Sequence, residues 1–132
     1  MHEKVIFIAW RRLSRRTRDL AKTIGARIVL IPHGPPYIRS YTETINMLKK
    51  EKPEVVIAQL PQGPLLWTLV RMKKKLRYTL VADVHTGFIV YGSIKEKLLN
   101  KPFVKLLREC DLLIAHNEDM YEILRRFNEN VI

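Results

Sequence analysis

Apolar runs about five residues long alternate along this chain with stretches whose apolar positions recur at steps of three and four. Residues 5–9 form a near-continuous apolar run, as a strand covered on both faces requires. The spacing then predicts a helix from about Ser14, with Thr17, Leu20, Ala21 and Ile24 inward and Gly25 as its stop. Residues 27–31 read as a second strand closed by Pro32, and Pro36 suits the first turn of a helix carrying Ile38, Tyr41, Ile45 and Leu48. A third strand over 54–59 is broken by Pro61, Gly63 and Pro64, after which Leu65, Leu66, Leu69 and Met72 mark a helix to about Lys75. Residues 78–82 are a fourth strand. Ser93 to Glu96 has the form of a capping box, and Asn100 and Pro102 restart the helix with Phe103, Leu106, Leu107 and Cys110 inward. Residues 111–116 are a fifth strand. Asn117 caps a last helix with Glu118 and Asp119 in its first turn and Met120, Ile123, Leu124 and Phe127 on its buried face. Asn130 to Ile132 look like the entry into a sixth strand, so we expect this domain to be half of something larger.

Five strand–helix units in succession predict an α/β fold, a Rossmann-like doubly wound parallel sheet of five to six strands in three α/β/α layers. Residues 1–132 form a single domain of this kind. A hydrophobic content of 47% with 28% charged residues describes a folded chain and excludes a disordered one. The single cysteine, Cys110, rules out an internal disulfide and fits a cytoplasmic address; its place on an apolar helix face reads as core packing. No apolar run is long enough to span a bilayer, and the first one lacks the flanks of a signal peptide. The formal charge of +11 is uneven: residues 1–82 carry +12 and residues 83–132 carry −1. Such a basic half calls for an anionic partner, whether phosphate, lipid headgroup or nucleic acid.

In open α/β sheets, ligands bind beyond the carboxyl ends of the strands, and residues 80–87 deliver Asp83, His85 and Gly87 there. The same residues also fit a capped turn and a loop histidine. Arg11, Arg15, Arg18 and Lys22 form one stripe along helix one, widened by Arg12 and Arg16, and the stripe begins at a helix start that already favours anions. Trp10 precedes it. Gln59 and Gln62 follow strand three at the same edge, as His33 follows strand two and His116 with Asn117 follow strand five. A second basic cluster, Arg71 to Arg77, is placed by topology at the opposite edge. The four histidines stand apart in sequence with no carboxylate at metal spacing, so no metal is expected, and no cofactor either. A glycine-rich dinucleotide loop, a P-loop and a Gly-x-Ser-x-Gly elbow are all absent from the sequence.

Three segments together resemble the amino-terminal, acceptor-side domain of a two-domain (GT-B) glycosyltransferase of the family-4 kind. They are Trp10 to Gly25, Pro53 to Pro64, and Asp83 to Gly87 followed by Cys110 to Met120. The resemblance implies a domain that binds a glycan or lipid-linked acceptor, while a carboxy-terminal domain holds the sugar-nucleotide donor. It further implies that His85 faces the cleft, in contact with the donor sugar or in proton transfer, and that Asp83 orients it or the acceptor. The anion- or acceptor-binding set would be Trp10, Arg11, Arg12, Arg15, Gln59, Gln62, Gly87 and Asn117. An anionic membrane surface at the inner face is a natural partner for the arginines. Two departures stand out. Trp10 and arginines replace the glycine pair of the opening loop, and Glu43 and Glu51 match a Glu-x7-Glu spacing but lie on helix two. The domain alone is expected to be inactive. The competing reading is a small basic α/β module for nucleic acid or another polyanion. Nucleic acid is disfavoured because aromatic residues, 8% of the chain, do not interleave with the basic stripe. A flavodoxin-like receiver would need acids where Ala9, Trp10 and Arg11 stand.

Overall fold

A computed structural model describes residues 4–60, 62–85, 88–89 and 91–132. Five strands, β1 (Val5–Trp10), β2 (Arg27–Ile31), β3 (Val55–Leu60), β4 (Thr79–Val84) and β5 (Leu112–Ile114), pair in parallel in the order β2-β1-β3-β4-β5. Helices α1 (Arg15–Ile24), α2 (Ile38–Glu51), α3 (Gly63–Leu76), α4 (Ile94–Asn100) and α5 (Glu118–Leu124) alternate with them, and a 3-10 segment, Lys101–Glu109, continues from α4. This is the Rossmann-like three-layer arrangement the patterning predicts. The chain reverses direction across the sheet between β1 and β3, where such sheets open a crevice at their carboxyl edge.

The two layers are unequal. Ile6, Ile8 and Trp10 of β1 point into the larger core, which also holds Leu48 of α2, Leu65, Leu66 and Leu69 of α3, Leu107, and Met120 and Leu124 of α5. Phe7, Ile57 and Val81 point the other way, where Ala21 of α1 packs on them. Both faces of the central strands are therefore buried, which is why they read as unbroken apolar runs. At the chain's end, Leu113 N–H donates to Asn130 O at 2.9 Å and Ile132 N–H to Leu113 O at 3.0 Å, so residues 130–132 do begin a sixth rung beside β5.

Helix termini follow their side chains. Ser14 Oγ accepts from Thr17 N–H at 3.1 Å, Asn117 Oδ1 accepts from Met120 N–H at 2.9 Å, and Gly25 closes α1 with φ at 73°. Ser93 Oγ accepts from Glu96 N–H at 3.2 Å, but the Glu96 carboxylate reaches Gly92 N–H at 2.6 Å instead of closing on Ser93. Cys110 is buried, and burial, followed by the Asp111 charge, pushes its thiol up to about 12.

Four expectations are corrected. Pro36 lies outside α2, which starts after Tyr37. The buried face of α2 is Ser40, Thr44 and Leu48, while Ile38 is 69% exposed and Tyr41 only partly covered. The helix is turned so that Thr44 Oγ1 accepts from the buried Trp10 indole N–H at 2.9 Å, a donor that apolar packing alone would leave unsatisfied. Ile24, at the end of α1, is exposed rather than inward. Finally, β4 runs to Val84, so Asp83 lies within the strand and not beyond it.

Candidate functional site

Strand register builds the site. Asp83 sits opposite Gln59 of β3 on one side and Ile114 of β5 on the other. Side chains alternate along a strand, so Asp83 shares the α1-facing row with Ile57 and Val81, one step from its carboxyl end. Its carboxylate is fully buried. Three side chains converge on it from three elements. Arg16 Nη2 of α1 lies 3.3 Å from Oδ1, His85 Nε2 3.3 Å from Oδ2, and His116 Nε2 3.5 Å from Oδ1. The two imidazoles meet edge to face, with ring centroids 4.8 Å apart. His85 is held by its own backbone as well, N–H donating to Leu60 O at 3.3 Å.

Electrostatics sort these groups. Burial by itself would raise the Asp83 carboxyl, but the hydrogen bond and charge of His85 together with the Arg16 guanidinium outweigh it and hold the group below its ordinary 3.8. Burial, then the Arg16 charge, lowers His116 below its ordinary 6.5 against the opposing pull of Asp83. At neutral pH the cluster therefore contains an ionised Asp83 and an uncharged His116. Nε2 of His85 faces the carboxylate, and its other ring nitrogen, Nδ1, has no hydrogen-bond partner among the described residues. An imidazole steadied by a buried carboxylate at the rim of the ligand crevice has the form of an oriented general base.

The remaining residues singled out from the sequence divide into three groups. Gln59 faces Asp83 but is occupied: Oε1 accepts from Ser14 N–H at 3.0 Å and Thr17 Oγ1 at 2.6 Å, and Nε2 donates to Arg12 O at 2.8 Å. It clamps the loop between β1 and α1. Arg11, Arg12 and Arg15 are exposed, Arg11 in the left-handed region with φ at 70°, and their guanidinium groups have no acidic partner among the described residues. Trp10 points into the opposite layer, buried against Tyr37 and Thr44 and away from Asp83. Gln62 stands just before α3 with its Oε1 buried and without a hydrogen-bond partner among the described residues, Asn117 is the α5 cap, and Gly87 lies outside the described residues.

Sequence reasoning missed the roles of two residues. Arg16 belongs by sequence to the arginine stripe read as anion-binding, yet it stands one turn before the inward Leu20, a legible signal that it turns toward the sheet. His116 needed the β4–β5 pairing to come near Asp83 at all. That pairing also gathers Asp83, His85 and His116, whose ligand atoms lie within 4.8 Å of one another, a spacing that a metal ion could bridge. The Arg16 guanidinium beside the same carboxylate competes with any cation there. His33, likewise, has a carboxylate partner, Glu43, at 2.8 Å.

The sequence profile of Glycosyltransferase Family 4 matches residues 2–131. The chain belongs to glycosyltransferase family 4. No curated protein and no solved structure matches it. Within this family-4 domain, the Asp83 cluster and the arginine-bearing start of α1 occupy the same carboxyl edge of the sheet. No helix among the described residues is long and apolar enough to cross a membrane. The second basic cluster of the family-4 domain lies at the other edge, where Lys73 pairs with Asp111 at 3.0 Å and Arg77 closes α3.

Proposed function

We propose that this domain is the acceptor-side half of a two-domain, GT-B glycosyltransferase, working with a carboxy-terminal domain that binds a sugar nucleotide. It receives a glycan or lipid-linked acceptor at the carboxyl edge of its sheet, on the cytoplasmic side of an anionic membrane. His85 is the cleft-facing group: Nδ1 takes the proton of the acceptor hydroxyl, or meets the donor sugar, while Asp83 orients the ring and balances its charge. Arg16 keeps Asp83 ionised for that task. Arg11, Arg12 and Arg15 lie beside the same crevice, where they would bind phosphate of the acceptor.

The observation that carries this reading is the His85–Asp83 contact of 3.3 Å at the strand ends, in a chain of this family. Sugar transfer tests it, measured with a panel of nucleotide sugars and membrane lipid acceptors for the two-domain protein and its His85→Ala variant. Transfer that falls in the variant is the expected result. An unchanged rate removes His85 from the chemistry, and transfer by residues 1–132 alone overturns the division into two halves.

A further inference from the structure

We propose that the outer face of α4 and the 3-10 segment after it is a docking surface for an anionic lipid bilayer. Ile94 and Leu98, one helical turn apart, are 77% and 72% exposed, the highest values among the large apolar side chains described. With Lys97, Lys101, Pro102 and Lys105 they line one shallow depression of about 690 Å³. Lys95 and Arg108 are exposed on the same segment. None of these cations has an acidic partner among the described residues, and the one acid within α4, Glu96, is turned back onto Gly92 N–H. The concentration is local, because residues 83–132 as a whole carry a net −1.

Nor are these apolar side chains outward because the helix is loosely attached. Gly63 N–H of α3 donates to the buried Asn100 Oδ1 at 2.9 Å. A Cβ at Gly63 would stand 2.4 Å from the Phe103 ring and 2.7 Å from Leu99 O, so the two segments touch backbone to side chain. Leu99, Phe103 and Leu106 fill the inner side against the core. Anchored this way, the segment cannot roll Ile94 and Leu98 inward without breaking those contacts.

Apolar side chains ringed by unpaired lysines suit a bilayer, whose acyl boundary takes the first and whose phosphates take the second. A second copy of the chain would bring lysine against lysine, and nucleic acid would have no use for Ile94 and Leu98. The contact with Gly63 places the surface beside the carboxyl edge of β3, where a lipid-linked acceptor would arrive; that last point rests on the function proposed above, whereas bilayer binding does not. This assigns docking to the α4 layer and leaves the arginine stripe, across the sheet on α1, to the acceptor.

Sedimentation with phosphatidylcholine vesicles, with and without phosphatidylglycerol, is the test, using wild type, Ile94→Ser, Leu98→Ser, Lys97→Glu/Lys101→Glu and Arg11→Glu/Arg15→Glu. Binding to the mixed vesicles should exceed binding to neutral ones and fall at least about tenfold in the first three variants, with the arginine variant close to wild type. Equal binding by Ile94→Ser, Leu98→Ser and wild type overturns the proposal, as does loss confined to the arginine variant. A dimer in solution that dissociates in Leu98→Ser would assign the face to a second copy instead. Transfer to a water-soluble acceptor by the two-domain protein separates the two proposals: its Leu98→Ser variant should retain it, and absence of transfer in the unmutated two-domain protein would speak against the glycosyltransferase reading while leaving vesicle binding intact.

Discussion

Arg16 and Asp83 stand 67 positions apart and meet at 3.3 Å, tying the first turn of α1 to the carboxyl end of β4. The Asp83 side chain is fully buried and the Arg16 side chain 38% exposed, so the two ends of the pair are not equivalent. Removing the arginine leaves a buried charge with histidines for company. Removing the acid leaves a cation that can turn to water.

Asp83→Asn should consequently lower stability by about 1–3 kcal/mol in urea unfolding, the cost of breaking a buried charge-assisted network with one partner able to relax. His85→Ala should cost less than about 1 kcal/mol. In sugar transfer by the two-domain protein the same His85→Ala change should lower the rate by about 100-fold, the scale of a lost acid–base group. Stability loss in His85→Ala equal to that in Asp83→Asn, with transfer intact, would make the cluster purely structural.

Acid should weaken the fold in two steps. His116 has its folded value below 6.5, so the unfolded chain takes up that proton first. Its contribution is whole above 6.5 and is lost as pH falls from there towards the folded value. Asp83 is depressed below 3.8, so its contribution is whole above 3.8 and disappears as pH falls through the folded value. His116→Asn should flatten the stability curve over the interval that begins at 6.5 and runs downward, and leave the lower step in place. Parallel curves for the two proteins over that interval would contradict the assignment.

Trp10 donates to Thr44 inside the larger core, far from solvent. Thr44→Val keeps the shape and removes the acceptor, so it should cost about 1–3 kcal/mol by leaving the indole N–H unpaired. Thr42→Val, on the exposed side of α2, should stay within about 0.5 kcal/mol. Equal denaturant midpoints for the two variants would show that the indole bond contributes nothing.

Gly63 has no room for a methyl group against Leu99 O and the Phe103 ring. The carbonyl belongs to the backbone and cannot rotate away, so Gly63→Ala should cost about 1–3 kcal/mol of overpacking and shift α4. Hydrogen exchange at Leu98 to Phe103 reads that shift directly, and unchanged protection there would refute it.

The order of elements was legible because each central strand is covered on both faces and each helix on one, which writes two different periods into the chain. Ser14, Gly25 and Asn117 marked their helix ends for an equally local reason: the cap is made within a few residues. The rotation of α2 was not legible, because it answers to an indole donor 34 positions away. The rim followed the same division. Asp83 and His85 stood out as an acid and an imidazole at a strand's end, but β4 extends two residues further than the apolar run, which puts Asp83 under cover. Gln59 looked like a ligand-binding amide until the loop beside α1 used up its hydrogen bonds. Arg16 and His116 reach Asp83 only through helix docking and β4–β5 pairing. Local patterning thus determined which elements form and in what order, since period and capping are read over a few residues; which polar groups share a buried charge was decided by sheet register and helix rotation, which depend on partners distant in sequence.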